Sequence, residues 1–94
     1  MKKLAPLKSI YSFIAVAETG SMTEAANELS VSHSAVSQAI KSLETQIGQA
    51  LFIRAGRKVV LNAAGRRYYK QVAPAIEQIV AVSYTHLTLP TKCW

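Results

Sequence analysis

The sequence predicts a mainly α-helical chain with one small β-hairpin: three short helices, the hairpin, and a long last helix. Three observations lead there. Residues 21–44, SMTEAANELSVSHSAVSQAIKSLE, read as two short amphipathic helices with only a few residues between them. Residues 51–61, LFIRAGRKVVL, change to two β-favouring runs around a glycine. Beyond Asn62 the residues Gly65, Tyr69, Val72, Ile76 and Ile79 alternate four- and three-residue spacings, the pattern of a coiled-coil seam.

Each element has its own signals. Leu7, Ile10, Tyr11, Ile14 and Ala17, with Phe13 and Val16 widening the stripe, give a first helix over about 7–18, and Gly20 offers a left-handed stop. Ser21 stands three residues before Glu24, the capping-box spacing, so a second helix follows over about 22–29. Its buried side is Met22, Ala25, Ala26 and Leu29, where the two alanines let another helix come close. Ser30, Val31 and Ser32 form the turn. Ser32 caps a third helix with apolar row Val36, Ala39, Ile40, Leu43 and Ile47, which Gly48 ends. Two short helices joined by a tight turn, at about 22–41, make a helix-turn-helix candidate.

The runs Leu51–Ile53 and Val59–Leu61, turning at Gly56, read as a two-stranded hairpin, which beside a helix-turn-helix is a wing. Asn62 can cap the last helix, and Pro74 is expected to kink rather than end it, because the apolar pattern continues on both sides. The fold class is therefore a winged helix-turn-helix, a three-helix core plus hairpin, followed by a long linker helix.

A chain of 94 residues with 50% hydrophobic content has room for one small domain with a compact core. Its single cysteine, Cys93, excludes an intrachain disulfide and supports no Cys-rich metal site, so a reducing cytoplasm is expected. Lys2 and Lys3 precede a stretch broken by Pro6, Lys8, Tyr11 and Ser12, which is neither a signal peptide nor an apolar span; no membrane partner is expected. No glycine-rich phosphate loop and no histidine pair at ligand spacing occur, and the carboxylates Glu18, Glu24, Glu28, Glu44 and Glu77 are scattered, so the chain is not read as an enzyme and no cofactor or metal is expected.

The net charge is +6, and between Arg54 and Lys70 six basic residues (Arg54, Arg57, Lys58, Arg66, Arg67, Lys70) meet no acidic one. Such a field suits a polyanion, while a solvated solubilising face is the plainer explanation. The third helix decides between them. Opposite its apolar row it carries His33, Ser34, Ser37, Gln38 and Lys41, with no acidic residue from His33 to Leu43. An ordinary solvent face carries Glu/Lys pairs four residues apart, and this one has none.

Short side chains that donate or accept are what base edges in a major groove require: Gln38 can bond adenine twice, Lys41 can reach guanine or a phosphate, and Ser34 and Ser37 suit several bases. Thr23 and Ser32, at the starts of the two motif helices, complete the candidate DNA-binding set on this side. Arg54, Arg57 and Lys58 flank the wing turn, where they can grip phosphates or enter the minor groove, or simply protect an exposed hairpin edge. Tyr68 and Tyr69 are expected to pack rather than to stack on bases. Tyr69, Val72, Ile76 and Ile79 are expected to pair two copies of the chain, since a domain this small has no core left to cover that seam. Such a homodimer would place two copies of the third helix in successive major grooves of a dyad-symmetric duplex site.

The run FIAVAETGSMTEAANELSVSHSAVSQAIKSLETQIGQALFIRAGRKVVLNAAG resembles the N-terminal DNA-binding domain of the LysR-type transcriptional regulators, with the likeness extending over about 5–81. Its markers are Ala25 and Ala26; Val31, Ser32, Ala35, Val36 and Ser37; Leu43 and Glu44; then Leu51, Phe52, Arg54, Arg57, Leu61 and Gly65. The resemblance implies a DNA-binding domain over 5–62, a linker and dimerisation helix over 63–81, and a bacterial regulator of transcription. This chain departs from the family at His33 and Ser34, where glutamine and proline are usual, at Gln38, commonly arginine, and at Asn62, usually threonine. The first three lie on the base-reading face, so they bear on the DNA sequence read and not on the fold.

Family members continue into an effector-binding domain that senses a small molecule, and no counterpart of it is present in the sequence. Residues 82–94, VSYTHLTLPTKCW, lack the linker's charge and spacing, and 82–91 resemble a translated transposase-adapter sequence, so this tail is expected to be foreign to the domain. Two other functional classes compete with DNA reading: a winged-helix module for protein association without specific DNA binding, and a basic membrane-surface binder, weakened by the lack of a broad apolar face opposite the basic cluster.

Overall fold

The structure, a computed structural model, describes the backbone of residues 7–88 and the side chains of residues 7–78. Cys93, the last part of the proposed tail and the side chain of Ile79 lie outside these residues. Six elements follow in order: α1 (Leu7–Thr19), α2 (Met22–Leu29), α3 (His33–Ile47), β1 (Phe52–Ala55), β2 (Lys58–Leu61) and α4 (Ala63–Thr88).

Local chemistry sets each boundary. Gly20 leaves α1 with φ +72° while its N–H donates to the Val16 carbonyl at 2.8 Å. Ser21 Oγ accepts from the Glu24 N–H at 3.1 Å, one half of the expected capping box. The other half is replaced, because the Ser21 N–H donates to Thr19 Oγ1 at 3.2 Å, leaving Glu24 exposed. Ser32 caps α3 by accepting from the Ala35 N–H at 3.0 Å. Asn62 caps α4 by accepting from the Gly65 N–H at 2.8 Å, and its amide also donates to the Ala50 carbonyl at 3.0 Å.

Ser30 closes α2 in the left-handed region, φ 58° and ψ 44°, with its N–H directed at the Ala26 and Asn27 carbonyls. A non-glycine residue there carries about 1–2 kcal/mol of strain. Ser30→Gly relieves it and gives back about 0.4–1 kcal/mol through the freer unfolded chain, so a net gain of about 0.5–1 kcal/mol is expected. Thermal unfolding checks this, and an unchanged or lowered midpoint would count against a strained turn.

α1 packs most extensively on α2 and α3. Its buried residues are Ser9, Ser12, Phe13, Ala15 and Val16, while Leu7 is exposed and Ile10, Tyr11, Ile14 and Ala17 are half-buried. The expected stripe is therefore rotated. α1 is apolar on several sides, so period alone does not choose the inward one; the small Ser9 and Ser12 let neighbouring helices approach, and Phe13 and Val16 fill the space beside them. Ala25 and Ala26 are buried on α2, and Val36, Ile40 and Leu43 on α3, whereas their neighbour Ala35 is exposed.

The strands pair antiparallel from Phe52–Leu61 to Ala55–Lys58, so Gly56 and Arg57 alone form the loop. Gly56 has φ +65° and Arg57 does not share a positive φ, which is the signature of a type II′ turn. The hairpin is tied down at several points. The Val59 N–H donates to the Gly20 carbonyl at 3.1 Å, the Asn62 N–H to the Leu51 carbonyl at 2.9 Å, and the Leu51 N–H to Glu44 Oε2 at 2.8 Å. The wing thus rests on the α1–α2 turn and on the end of α3.

Phe13 is the centre of the core, fully buried with ring centroids of Phe52, Tyr68 and Tyr69 at 5.4, 5.2 and 6.3 Å. Tyr69 also donates its hydroxyl to Glu18 Oε2 at 2.9 Å. That bond, with burial and the charges of Glu18 and Glu77, holds its hydroxyl above the ordinary phenol pKa, and burial does the same for Tyr68. Tyr69 and Val72 are half-buried against the core, and Ile76 is 8% exposed. This corrects the premise that no core is left for the seam: α1 presents Phe13 and Glu18 to α4, so the domain itself takes up much of that face. α4 continues through Pro74 and past residue 81 to Thr88, with no glycine or proline over 82–88 to stop it.

Candidate nucleic-acid interface

With Val36, Ile40 and Leu43 locked inward, α3 has no rotational freedom, and its opposite face is fixed outward. Ser32, His33, Ser34, Gln38 and Lys41 are all exposed there, and Ser37 is half-buried at the side nearest the wing. Ser32 Oγ uses one lone pair on its own helix, and its proton stays free to donate outward. Thr23 is exposed in the first turn of α2, next to the Ser21 cap. Arg54, Arg57 and Lys58 are exposed around the wing tip, and Arg66, Arg67 and Lys70 continue the positive surface along α4.

The two groups meet across an open cleft of about 210 Å³ between α3 and the wing. Ser37 and Lys41 line it from the helix, Arg54 and Ile53 from the hairpin, and Glu44 also borders it. Glu44 was only a family marker in the sequence; here its carboxylate holds the Leu51 N–H and so fixes where the wing starts relative to α3. No spacing rule could reveal that bond. Within the run 51–53, which reads as a strand of the wing, Ile53 is 53% exposed. Alternation explains it, since Phe52 and its partner Leu61 face the core and Ile53 with its partner Val60 faces out.

Among the described residues no group of three or more His, Cys, Asp or Glu could hold a metal ion, and no helix is long and apolar enough to cross a membrane. Of the expected pairing residues, Tyr69 and Val72 pack against the core and Ile76 is buried.

Fold and surface together define a winged helix-turn-helix with a polar outward face on α3 and a cationic wing. Residues 7–66 match the bacterial regulatory helix-turn-helix proteins of the lysR family, and this chain belongs to that family. It is 40% identical over 76 residues to the uncharacterized HTH-type transcriptional regulator YeiE of Escherichia coli (strain K12), covering 81% of this chain and 26% of that protein. It is 40% identical over 78 residues to the glycine cleavage system transcriptional activator of the same strain, covering 83% and 26%. The chain thus spans about a quarter of the length of these relatives. Among solved structures, the DNA-binding domain of CbnR in its complex with DNA aligns with a TM-score of 0.74 at 30% identity, covering 93% of this chain and 99% of that one.

Proposed function

We propose that this chain is the DNA-reading part of a bacterial, cytoplasmic transcription regulator, and that it acts by binding without catalysing a reaction. α3 enters the major groove of duplex DNA, with His33, Ser34, Ser37, Gln38 and Lys41 toward base edges and Thr23 and Ser32 toward the flanking backbone. Arg54, Arg57 and Lys58 hold phosphates or reach the minor groove. The observation that carries this reading is the exposed, acid-free, hydrogen-bonding face of α3 set across one cleft from the cationic wing. The likeness to a domain solved on DNA supports it over the protein-association alternative.

Two copies pair through α4 on a dyad-symmetric site, along the row Tyr69, Val72, Ile76 and Ile79, of which Tyr69 and Val72 are only half-buried within the chain. A small-molecule effector concerns only a longer protein that carries a sensing domain. The domain boundaries at 62 and 81, and a tail foreign to the domain from residue 82, complete the proposal.

Base reading and phosphate gripping have different signatures. Gln38→Ala is expected to cost about 1–3 kcal/mol on the preferred site and little on random duplex. Arg54→Ala is expected to weaken both and to flatten the dependence of log K on log salt by about 0.9, one phosphate contact. Equal losses for Gln38→Ala on both duplexes would reduce Gln38 to a positioning contact, and an unchanged slope for Arg54→Ala would remove the wing from the phosphates. Sedimentation of the wild-type complex is expected to give two chains per duplex.

A further inference from the structure

Three consecutive residues at the end of α1 each hold a different element. The Glu18 carboxylate accepts the Tyr69 hydroxyl of α4 at 2.9 Å, Thr19 Oγ1 accepts the Ser21 N–H at the start of α2 at 3.2 Å, and the Gly20 carbonyl accepts the Val59 N–H of the wing at 3.1 Å. α1 also packs directly on α3, so this end of the helix is tied to the elements proposed to meet DNA. The root of α4 is held separately. Asn62 caps its first turn at 2.8 Å, Arg66 Nη1 donates to the Leu61 carbonyl at 3.3 Å, and Gly65 lies against the Leu51 carbonyl. These contacts lie close together, so they fix where α4 begins and act as a pivot for its direction. Further along, Tyr68 and Tyr69 pack on Phe13, an apolar contact with no directional preference that tolerates small tilts. The bond from Tyr69 to Glu18 is directional, and among the described residues it is the one hydrogen bond that joins α1 to α4.

We propose that the Tyr69–Glu18 bond sets the direction in which α4 leaves the domain, and thereby the distance between the two copies of α3 in a pair and the half-site spacing that the pair accepts. The effect rests on the pairing through α4 proposed above and adds to it two residues that select among duplexes by geometry. Both are positioning residues, which act through α1 and α3 and not on the bases. In a dimer joined along α4, a tilt of each domain on its own α4 carries α3 along the duplex, and a shift of about 3.4 Å is one base-pair step. Loss of the bond therefore broadens the range of tolerated spacings and leaves the reading of each half-site as it was.

The test uses duplexes that carry two copies of the preferred half-site, with the separation changed one base pair at a time, and a duplex with a single half-site. Wild type, Tyr69→Phe, Glu18→Ala, the double variant and Glu18→Gln are titrated on each, with sedimentation and thermal unfolding alongside. Tyr69→Phe and Glu18→Ala are each expected to lower the preference for the best spacing over its neighbours by about fivefold, as loss of one ordinary hydrogen bond implies. The double variant is expected to lower it no further, because one bond is lost in all three. Glu18→Gln keeps an acceptor oxygen and is expected to keep the wild-type preference. Single half-site affinity and melting temperature are expected to stay near the wild-type values, since both side chains of the bond remain partly in water and the Tyr69 ring is retained in Tyr69→Phe. An unchanged spacing preference would overturn the proposal, as would additive losses or an equal loss on every duplex. If wild type sediments as one chain per duplex, the pairing through α4 fails and the spacing device with it; if it sediments as two and the variants keep its spacing preference, only the spacing device fails.

Discussion

Gly65→Ala is expected to destabilise the domain by about 3 kcal/mol, the upper end of what overpacking costs, although it adds a single methyl group. Built on the Gly65 backbone, that methyl runs into the Leu51 carbonyl oxygen and comes within 2.9 Å of Leu61 Cδ2. The obstacle on one side is backbone, and that backbone is held by the Asn62 N–H at 2.9 Å, so it cannot move aside cheaply. For a domain of this size the loss corresponds to roughly 12–24 °C in melting temperature. The sign is informative, because alanine at an unhindered interior helix position would instead gain about 1 kcal/mol over glycine. Gly65 lies on a buried face of α4 at the point where the helix crosses the start of the wing. An unchanged or raised midpoint would mean that α4 does not approach the strand this closely.

Phe13→Ala is expected to cost about 3–5 kcal/mol, a large share of the roughly 5–15 kcal/mol by which a small domain is stable. The ring is wholly buried and touches three other aromatic rings, from the wing and from α4. Its removal opens a cavity where α1, the hairpin and the linker helix meet. Urea unfolding reads the effect as a lowered midpoint with an unchanged slope if the native packing is otherwise kept. A loss below about 1 kcal/mol would show that the wing and α4 are not seated on α1 through this ring.

These two residues also mark how far the sequence could be read. The helix ends were legible, because Ser32 and Gly48 act through local chemistry within a turn of themselves. So was Asn62 as the α4 cap, though not its second bond to Ala50, which depends on the chain returning past itself. Gly65 is legible as a member of a helical row and as a family marker, with no physical reason attached. Its reason, a carbonyl from the preceding loop pressed against it, lies fourteen residues back in the chain and leaves no periodic trace. The same holds for Tyr69 and Glu18, joined across 51 residues, and it is why the seam on α4 was read as free when part of it packs on α1.

For the site, the proposed recognition face of α3 stands out in the sequence by what it lacks, acidic residues and charge pairs at helical spacing. The cations of the wing were visible from their clustering around Gly56. Neither Glu44 nor Ile53 could be placed, because a carboxylate at a helix end and an apolar residue in a β-favouring run both have ordinary explanations. Only the pairing register shows that Ile53 faces outward with Val60, and only the hydrogen bond from Leu51 shows that Glu44 fixes the start of the wing.

The central claim is that this domain reads DNA sequence through α3. The most direct measurement selects bound duplexes from a random pool and then titrates wild-type chain against the enriched duplex and a scrambled duplex of equal length and composition, at fixed salt. A dyad-symmetric enriched sequence is expected, bound at least about a thousandfold more tightly than the scrambled one, the lower end of specific over non-specific binding. Equal affinity for the two, or no enrichment at all, would contradict it.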